Sequence, residues 1–586
     1  MAMSKENMNL LWASLLIEEL IRTGVTYFCI SPGSRSTPLT TAVARNRMAQ
    51  SLICYDERGA AFHALGYGRA TGRPAALICT SGTALANYLP AVVEASMDQI
   101  PMLVISADRP PELRDTGANQ TIRQPKMFGE YVRWDFDLPC PDPEIPPQMI
   151  LTTIDQAVSQ AIRKPAGPVH LNCMWREPLA PIPAHVPDNY LTSLGRWPVG
   201  GGPYTRYTPA VMQPDQEELD RLAALINTAS SGLLVVGRLA SPLEIPAVAR
   251  LAAKLRWPVL ADIGSGLRLG FEGGPPVPYF DQLWLSQSFR EGWRPQVILH
   301  LGGQVTSKRF QQYLEASRPD TYVVVKDHPG RHDPGHLVTW RLEAEYGHLC
   351  RALTLLVQPS ANLAWLEDLM ARSNRVDQVL EDYSAQEPDL TEPVVARLIS
   401  KNLPGHSALF LGSSMPVRDM DMFAQAGRVA VPVGANRGAS GIDGTMATAA
   451  GFAVGLNRPV TLVIGDLAFL HDLNSLAQVK MTSPPVIIVL INNQGGGIFS
   501  FLPIAQYDDV FEAFFATPHA LAFKPAADLF GLDYYAPTTR DDFLNCFLAA
   551  HNKGTSAVIE IRTDRKENFA LHQRLSREIT AALAAA

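Results

Sequence analysis

Two short motifs in the last third of the chain have the residue types that hold a divalent cation and a phosphate. Val460 to Asp466 reads as a buried strand ending in Gly465-Asp466. A helix-like stretch follows, Leu473 to Met481. A second buried strand, Pro485 to Ile491, then ends in Asn492-Asn493-Gln494-Gly495-Gly496-Gly497. This is one βαβ unit, and open α/β sheets bind ligands beyond the carboxyl ends of their strands. A carboxylate, an amide oxygen and a free backbone carbonyl make a hard-oxygen set that suits Mg²⁺ held with a diphosphate and water. The glycines let backbone N–H groups approach phosphate oxygens. Gly-Asp and Asn-Asn could each be plain turn residues, but here both halves and their spacing coincide.

A second cluster lies near the N-terminus. Glu57 stands where a strand gives way to a helix, followed by the small residues Gly59, Ala60 and Ala61. Downstream, Thr80-Ser81-Gly82-Thr83 to Asn87 is a polar strand-to-helix turn. A lone Glu before a helix is ordinarily a solvated N-terminal charge. Cations recur at strand ends. Arg35 lies in the Ser31–Ser36 turn. Arg109 follows Met102–Ser106, with Asn119 and Gln120 beyond it. Lys308 and Arg309 follow Val297–Leu301, and Ser414 and Arg418 follow Ala408–Leu411. Arg437 lies in the Asn436–Gly441 turn. Guanidinium forks fit carboxylates bidentately. One such arginine is ordinarily a surface charge; five at strand ends form a pattern.

The elements that must position these residues are legible as apolar runs. Thr26–Ile30, Ala75–Cys79, Met102–Ser106 and Val169–Asn172 come first. Leu233–Val236, Val297–Leu301 and Tyr322–Val325 follow, then Leu462–Ile464, Val486–Ile491 and Ala557–Ile561. Continuous apolar runs mean strands buried on both faces, as in parallel sheets flanked by helices. The fold class is α/β, with three doubly wound parallel-sheet domains. Residues 184–215 are rich in Pro, Gly and polar types and read as a linker, and a second break lies in 357–392. The blocks are 1–185, 205–357 and 385–586.

Composition removes other classes. Over 586 residues, 47% hydrophobic and 18% charged is the balance of a globular protein with a large core. Fifty Lys and Arg against 57 Asp and Glu give a net charge of −7 with no basic tract, which argues against a nucleic-acid partner. No apolar run approaches the ~18 residues of a membrane span. The first residues read as an amphipathic helix bearing Glu18 and Glu19, not a signal peptide. Seven scattered cysteines without a Cys-x-x-Cys pair point to a reduced, cytoplasmic chain.

The Glu57 block and the Gly465-Asp466…Asn493 block together resemble the thiamine diphosphate-dependent enzymes over the full length. The resemblance implies that the first domain holds the aminopyrimidine, the last holds Mg²⁺ (or Mn²⁺) and the diphosphate, and the middle one is a structural spacer. The family generally reads Gly-Asp-Gly, whereas this chain reads Gly465-Asp466-Leu467. One branch shares that variant. SPGSRSTPLT at 31–40, NRGASGIDG at 436–444, GDLAFLHDLNSL at 465–476 and NNQGGGIFSFLP at 492–503 resemble it closely. That branch decarboxylates 2-oxoglutarate and adds the succinyl unit to isochorismate in menaquinone and phylloquinone biosynthesis.

The resemblance also implies roles. Glu57 bonds N1′ of the aminopyrimidine, where a carboxyl in an apolar pocket with a raised pKa can share a proton. Catalysis is further assigned to Arg35 and Gln120. The metal ligands are Asp466, Asn493 and Gly495. Cofactor contacts fall on Pro32, Ser81, Asn87, Ser414, Ala439, Ser440, Ile442, Gly465, Leu467 and Gly497. Ile498 is the bulky side chain that bends the cofactor. Substrate contacts fall on Ser34, Arg35, Arg109, Asn119, Gln120, Lys308, Arg309, Ser414, Arg418, Arg437 and Leu502, with Phe515 closing over the substrate. The acceptor carries two carboxylates and the succinyl unit keeps another, which accounts for the cations. At least a homodimer is implied, or a homotetramer, with sites at subunit interfaces.

Two decoys are set aside. The histidines of Asp327–His336 have metal-like spacing, but Pro329, Gly330, Pro334 and Gly335 forbid a regular helix. Val236-Gly237 and Gly302-Gly303 lack the Gly-x-Gly-x-x-Gly fingerprint of a dinucleotide site. Two other readings are an acetolactate-type carboligase, disfavoured by the cations and the Gly-Asp-Leu variant, and a non-catalytic relative, disfavoured by Glu57, Asp466, Asn493 and Ile498 together.

Overall fold

Runs such as Val486–Asn492 carry apolar side chains on both faces, so they are stable only between two layers of helices. In the computed structural model, which describes residues 6–239, 241–270, 276–427 and 429–584, these runs form three parallel sheets. The first comprises β1 (Tyr27–Ile30), β2 (Gln50–Ile53), β3 (Ala76–Cys79), β4 (Met102–Asp108), β5 (Trp134–Leu138) and β6 (Pro168–Met174), ordered β2-β1-β3-β4-β6-β5. The second comprises β7 (Gly232–Val236), β8 (Val259–Ala261), β9 (Val297–Leu301), β10 (Thr321–Lys326) and β11 (Trp340–Glu343), ordered β11-β10-β9-β7-β8. The third comprises β12 (Ala408–Leu411), β13 (Val433–Ala435), β14 (Val460–Gly465), β15 (Val486–Asn492), β16 (Asp533–Tyr535) and β17 (Ala557–Arg562), ordered β13-β12-β14-β15-β17-β16. The first and third sheets share one topology. Each switches strand order between β1 and β3 or between β12 and β14, the kind of crevice where such sheets bind ligands, and again at the far edge, β6-β5 or β17-β16.

The chain folds into two compact units that do not follow chain order. One unit is Met1–Ala210 with Asn436–Asn457 and His471–Pro484. The other is Val211–Ala435 with Arg458–Leu470 and Pro485–Ala586.

In the first unit, helix Glu57–Thr71 lies against helix Thr445–Leu456. Glycines make the approach backbone to backbone. A Cβ on Gly66 would stand 2.0 Å from the Thr448 carbonyl oxygen, and one on Gly451 would stand 1.9 Å from that of His63. Asp472 starts the second helix, its carboxylate accepting the N–H groups of Met446 and Ala447. The N-terminal amphipathic stretch is helix Met8–Arg22, capped by Asn7, with Leu11, Leu15 and Leu16 fully buried. Part of the 184–215 segment is fastened: Glu19 accepts the Trp197 indole N–H and the Tyr204 N–H, and Asp155 accepts the Thr205 N–H.

In the second unit one apolar core runs through both sheets, from Leu233 and Ile298 to Leu409 and Ile487. Gly237 sits where a Cβ would meet the Gly303 carbonyl oxygen at 1.9 Å, so these glycines serve loop packing. Residues 327–339 form bends and turns, without a helix. All seven cysteines are free thiols. Among the described residues no helix is long and apolar enough to cross a membrane.

Candidate active site

In the first unit the expected residues gather at the β1/β3 reversal. The Pro32–Ser36 turn leaves β1 and enters helix Thr37–Arg45. Gly33 is required there, because a Cβ would overlap the Thr80 side chain at 2.3 Å. Arg35 is buried, donating to the Trp175 carbonyl at 2.9 Å and facing Glu177 at 3.3 Å, while its Nε is buried without a partner. Burial and the nearby Arg109 charge lower its pKa. Arg109 donates to Ser81 Oγ at 2.7 Å and to the Asn119 carbonyl at 2.9 Å. Ser81 and Gln120 exchange hydrogen bonds, Ser81 Oγ to the Gln120 carbonyl at 3.0 Å and Gln120 Nε2 to the Ser81 carbonyl at 2.9 Å. Arg35, Ser81, Arg109, Asn119 and Gln120 thus form one array with two neighbouring guanidiniums.

Glu57 is the first residue of its helix, half-buried, directly after the N-cap Asp56. Its charge reaches the buried Cys79 thiol, whose pKa burial pushes up. Asn87 ends the short helix Thr83–Ala86, its amide donating to the Thr83 carbonyl. The turn bearing Arg437, Ala439 and Ser440 is held by Glu94, whose carboxylate accepts the N–H groups of Gly438 (2.8 Å), Ala439 (2.6 Å) and Ser440 (3.3 Å). Arg69 pairs with Glu94 and Asp98. Ile442, farther along, is exposed.

In the second unit the site is built at the carboxyl ends of β14 and β15, with Ser414 beyond the end of β12 on the other side of β14. Gly465 pairs with Ile491 across the β14–β15 ladder, which brings Asp466 beside Asn492 and Asn493. Asp466 Oδ1 accepts the Leu467 N–H at 2.7 Å, and Oδ2 accepts the Gly495 N–H at 3.0 Å. Burial raises the Asp466 pKa. Asn493 Oδ1 is buried with no hydrogen-bond partner, an orphaned acceptor next to a carboxylate. An unmet buried oxygen is costly, and a cation removes the cost. Gly495 adopts φ +149°, and a Cβ there would strike the Ala516 carbonyl oxygen at 2.2 Å. Gly497 is equally confined, by the Asn493 amide. These residues fit a divalent cation with a diphosphate: a carboxylate, an amide oxygen and a glycine turn.

Ser414 lies just past β12 with φ +73°, a strained conformation for a non-glycine residue, and its carbonyl accepts from Arg418. Arg418, Lys308, Arg309, Ile498 and Leu502 line one cavity of about 780 Å³. Phe515 does not line it; its ring packs edge-on against Phe499, and its carbonyl lies against Gly496.

Four residues escaped sequence reasoning. His519 Nε2 stands 3.3 Å from Asp466 Oδ2. Glu392 accepts the Asn493 amide N–H at 3.0 Å. His572 lines the cavity beside Asp419, its pKa pushed down to about 3 by burial and by Arg309. Glu94 holds the Arg437 turn. None lies in a motif; each arrives from a distant stretch of the chain. The helix after β14 also starts earlier than the sequence suggested. It runs Asp466–His471, followed by a turn at Leu473–Ser475 and helix Leu476–Met481.

Three family models match: the N-terminal TPP-binding domain of thiamine pyrophosphate enzymes over 12–127, the thiamine pyrophosphate middle domain over 188–411, and the C-terminal TPP-binding domain over 424–561. A solved benzoylformate decarboxylase from Polynucleobacter necessarius shares the fold, with a TM-score of 0.70 at 17% identity, covering 94% of this chain and 98% of that one. Fold and matched domains define a thiamine pyrophosphate enzyme. A 2-succinyl-5-enolpyruvyl-6-hydroxy-3-cyclohexene-1-carboxylate synthase of Rubrobacter xylanophilus is 53% identical over 97% of this chain and 98% of the relative. Synthases of the same name from Salinibacter ruber and Prosthecochloris aestuarii are 48% and 46% identical, each covering 98% of both chains. The chain belongs to this synthase family.

Proposed function

We propose that the protein decarboxylates 2-oxoglutarate and adds the succinyl unit to isochorismate, giving 2-succinyl-5-enolpyruvyl-6-hydroxy-3-cyclohexene-1-carboxylate for menaquinone or phylloquinone synthesis. The observation that carries the substrate choice is the cavity that sets Lys308, Arg309 and Arg418 around Ile498. Several cations lining one cavity suit substrates bearing several carboxylates. The relatives' name supports the same reaction.

Bound thiamine diphosphate supplies the decarboxylation and carbon–carbon bond chemistry. The chain's own residues would do the rest. Asp466, Asn493 and the Gly495 carbonyl would hold Mg²⁺ or Mn²⁺, and Gly465, Leu467 and Gly497 would border the diphosphate. Pro32, Ser81, Asn87, Ser414, Ala439, Ser440 and Ile442 would make the remaining cofactor contacts, and Ile498 would set the cofactor's bend. Glu57 would hold a proton at the pyrimidine N1′. Ser34, Arg35, Arg109, Asn119, Gln120, Arg437, Leu502 and Phe515 would contact substrate alongside Lys308, Arg309, Ser414 and Arg418, with Arg35 and Gln120 beside the reacting atoms. We assign the chain to the cytoplasm and to a homodimer or homotetramer whose sites lie between subunits.

A donor comparison tests this reading. With thiamine diphosphate, Mg²⁺ and isochorismate, 2-oxoglutarate should be consumed and pyruvate should not. Preference for pyruvate would replace this reading with an acetolactate-type carboligase.

A further inference from the structure

We infer that Glu392 is a positioning residue that turns the Asn493 amide oxygen toward the cation, an inference that rests on the metal reading of Asp466, Asn493 and Gly495. A side-chain amide has two ends of nearly equal shape, and the partner on one side decides which end faces the other. Here Asn493 Nδ2 donates to Glu392 Oε1 at 3.0 Å, and Oδ1 is left buried and without a partner. A carboxylate only accepts, so Glu392 takes the NH₂ end and excludes the flipped amide. Glu392 is itself fixed. It is 4% exposed, at the start of helix Glu392–Asn402, and its Oε1 also accepts the Thr563 hydroxyl at 3.0 Å.

The surroundings point the same way. The Glu392 carboxyl lies within electrostatic reach of Asp466 and Asp419, so three acidic side chains are buried together. Such a group is unfavourable unless a positive charge is near. A divalent cation held by Asp466 and the Asn493 oxygen would supply such a charge, and Glu392 would add negative potential behind the amide. Glu392 is far from both strand ends in sequence, so its role depends on the fold and not on a motif.

Mn²⁺ titration of the full chain in the presence of thiamine diphosphate, followed by the electron paramagnetic resonance signal of free Mn²⁺, tests the inference. Glu392→Gln keeps the shape but can donate to Asn493 Oδ1 and let the amide turn over. It is expected to weaken Mn²⁺ binding at least tenfold with an unchanged circular dichroism spectrum. The double variant Glu392→Gln, Asn493→Asp, which offers a carboxylate oxygen in either orientation, is expected to recover affinity. A purely structural role would give the double variant only the gain in affinity that Asn493→Asp gives alone, whereas a positioning role makes the gain larger in the Glu392→Gln background. Asp466→Asn is the control. If it loses Mn²⁺ while Glu392→Gln keeps it, the role of Glu392 is overturned. If neither loses Mn²⁺, the metal reading falls and the inference with it. Should Glu392→Gln not fold, Thr563→Val decides: weaker Mn²⁺ binding supports the inference, and unchanged binding overturns it.

Discussion

Asp466 Oδ2 accepts the backbone N–H of Gly495 at 3.0 Å. That bond ties the turn after β15 to the end of β14 and fixes a carboxylate beside the orphaned Asn493 oxygen. Asp466→Ala should therefore abolish divalent-dependent binding of thiamine diphosphate while leaving the sheets intact. Calorimetric titration of cofactor with and without Mg²⁺ checks it, and unchanged affinity would refute the metal role.

Glu57 occupies the first helical position after Asp56, half-buried at a strand-to-helix junction. Glu57→Gln should fold normally and lower kcat by about 10²–10⁴-fold, the usual worth of a positioned acid or base. Steady-state turnover beside a thermal melt measures both. Near-normal turnover would sink the assignment.

The Arg437 turn is pinned by three backbone N–H bonds to Glu94. Its place in the turn is thus set by the backbone. Arg437→Ala should raise the KM for substrate about 10- to 100-fold, the range expected for losing a charged hydrogen bond, with cofactor affinity unchanged. The reverse pattern would move Arg437 to the diphosphate.

Glu19 is buried against Asp155, and its pKa is pushed up to about 8, chiefly by burial and by the Asp155 carboxyl. The folded chain therefore keeps a proton that the unfolded chain releases near pH 4.5. Stability should fall as pH rises from about 4.5 through 8. Glu19→Gln should flatten that fall in Tm. An equally steep slope in the variant would show that other groups cause it.

Gly451 stands where a Cβ would come within 1.9 Å of the His63 carbonyl oxygen. Backbone cannot yield as a side-chain tip does. Gly451→Ala should destabilise by about 1–3 kcal/mol or more, as overpacking does, seen as a lowered denaturation midpoint. A wild-type midpoint would mean the two helices slide apart without cost.

The interior of each sheet was legible in the sequence and the edges were not. All eleven central strands, from β1 to β17, stand out as apolar runs. The six edge strands β2, β5, β8, β11, β13 and β16 do not. An edge strand is covered less completely, so Gln50–Ile53 and Trp134–Leu138 carry polar residues that hide the pattern, and β8, β13 and β16 are three residues long. The site divides the same way. Asp466, Asn493 and Gly495 are neighbours of strand ends and could be read locally. Glu392, Glu94, His519 and His572 reach the site only through tertiary packing. The break at Asp472 was hidden for a similar reason, since its carboxylate caps a helix that precedes it in the chain.

The most direct test of the central claim is CO₂ release from 2-oxoglutarate by the purified protein with thiamine diphosphate and Mg²⁺, measured with and without isochorismate. Release should depend on isochorismate and accompany its loss, with a product of the mass of the succinyl adduct. Equal release without isochorismate, or none with it, would contradict the account.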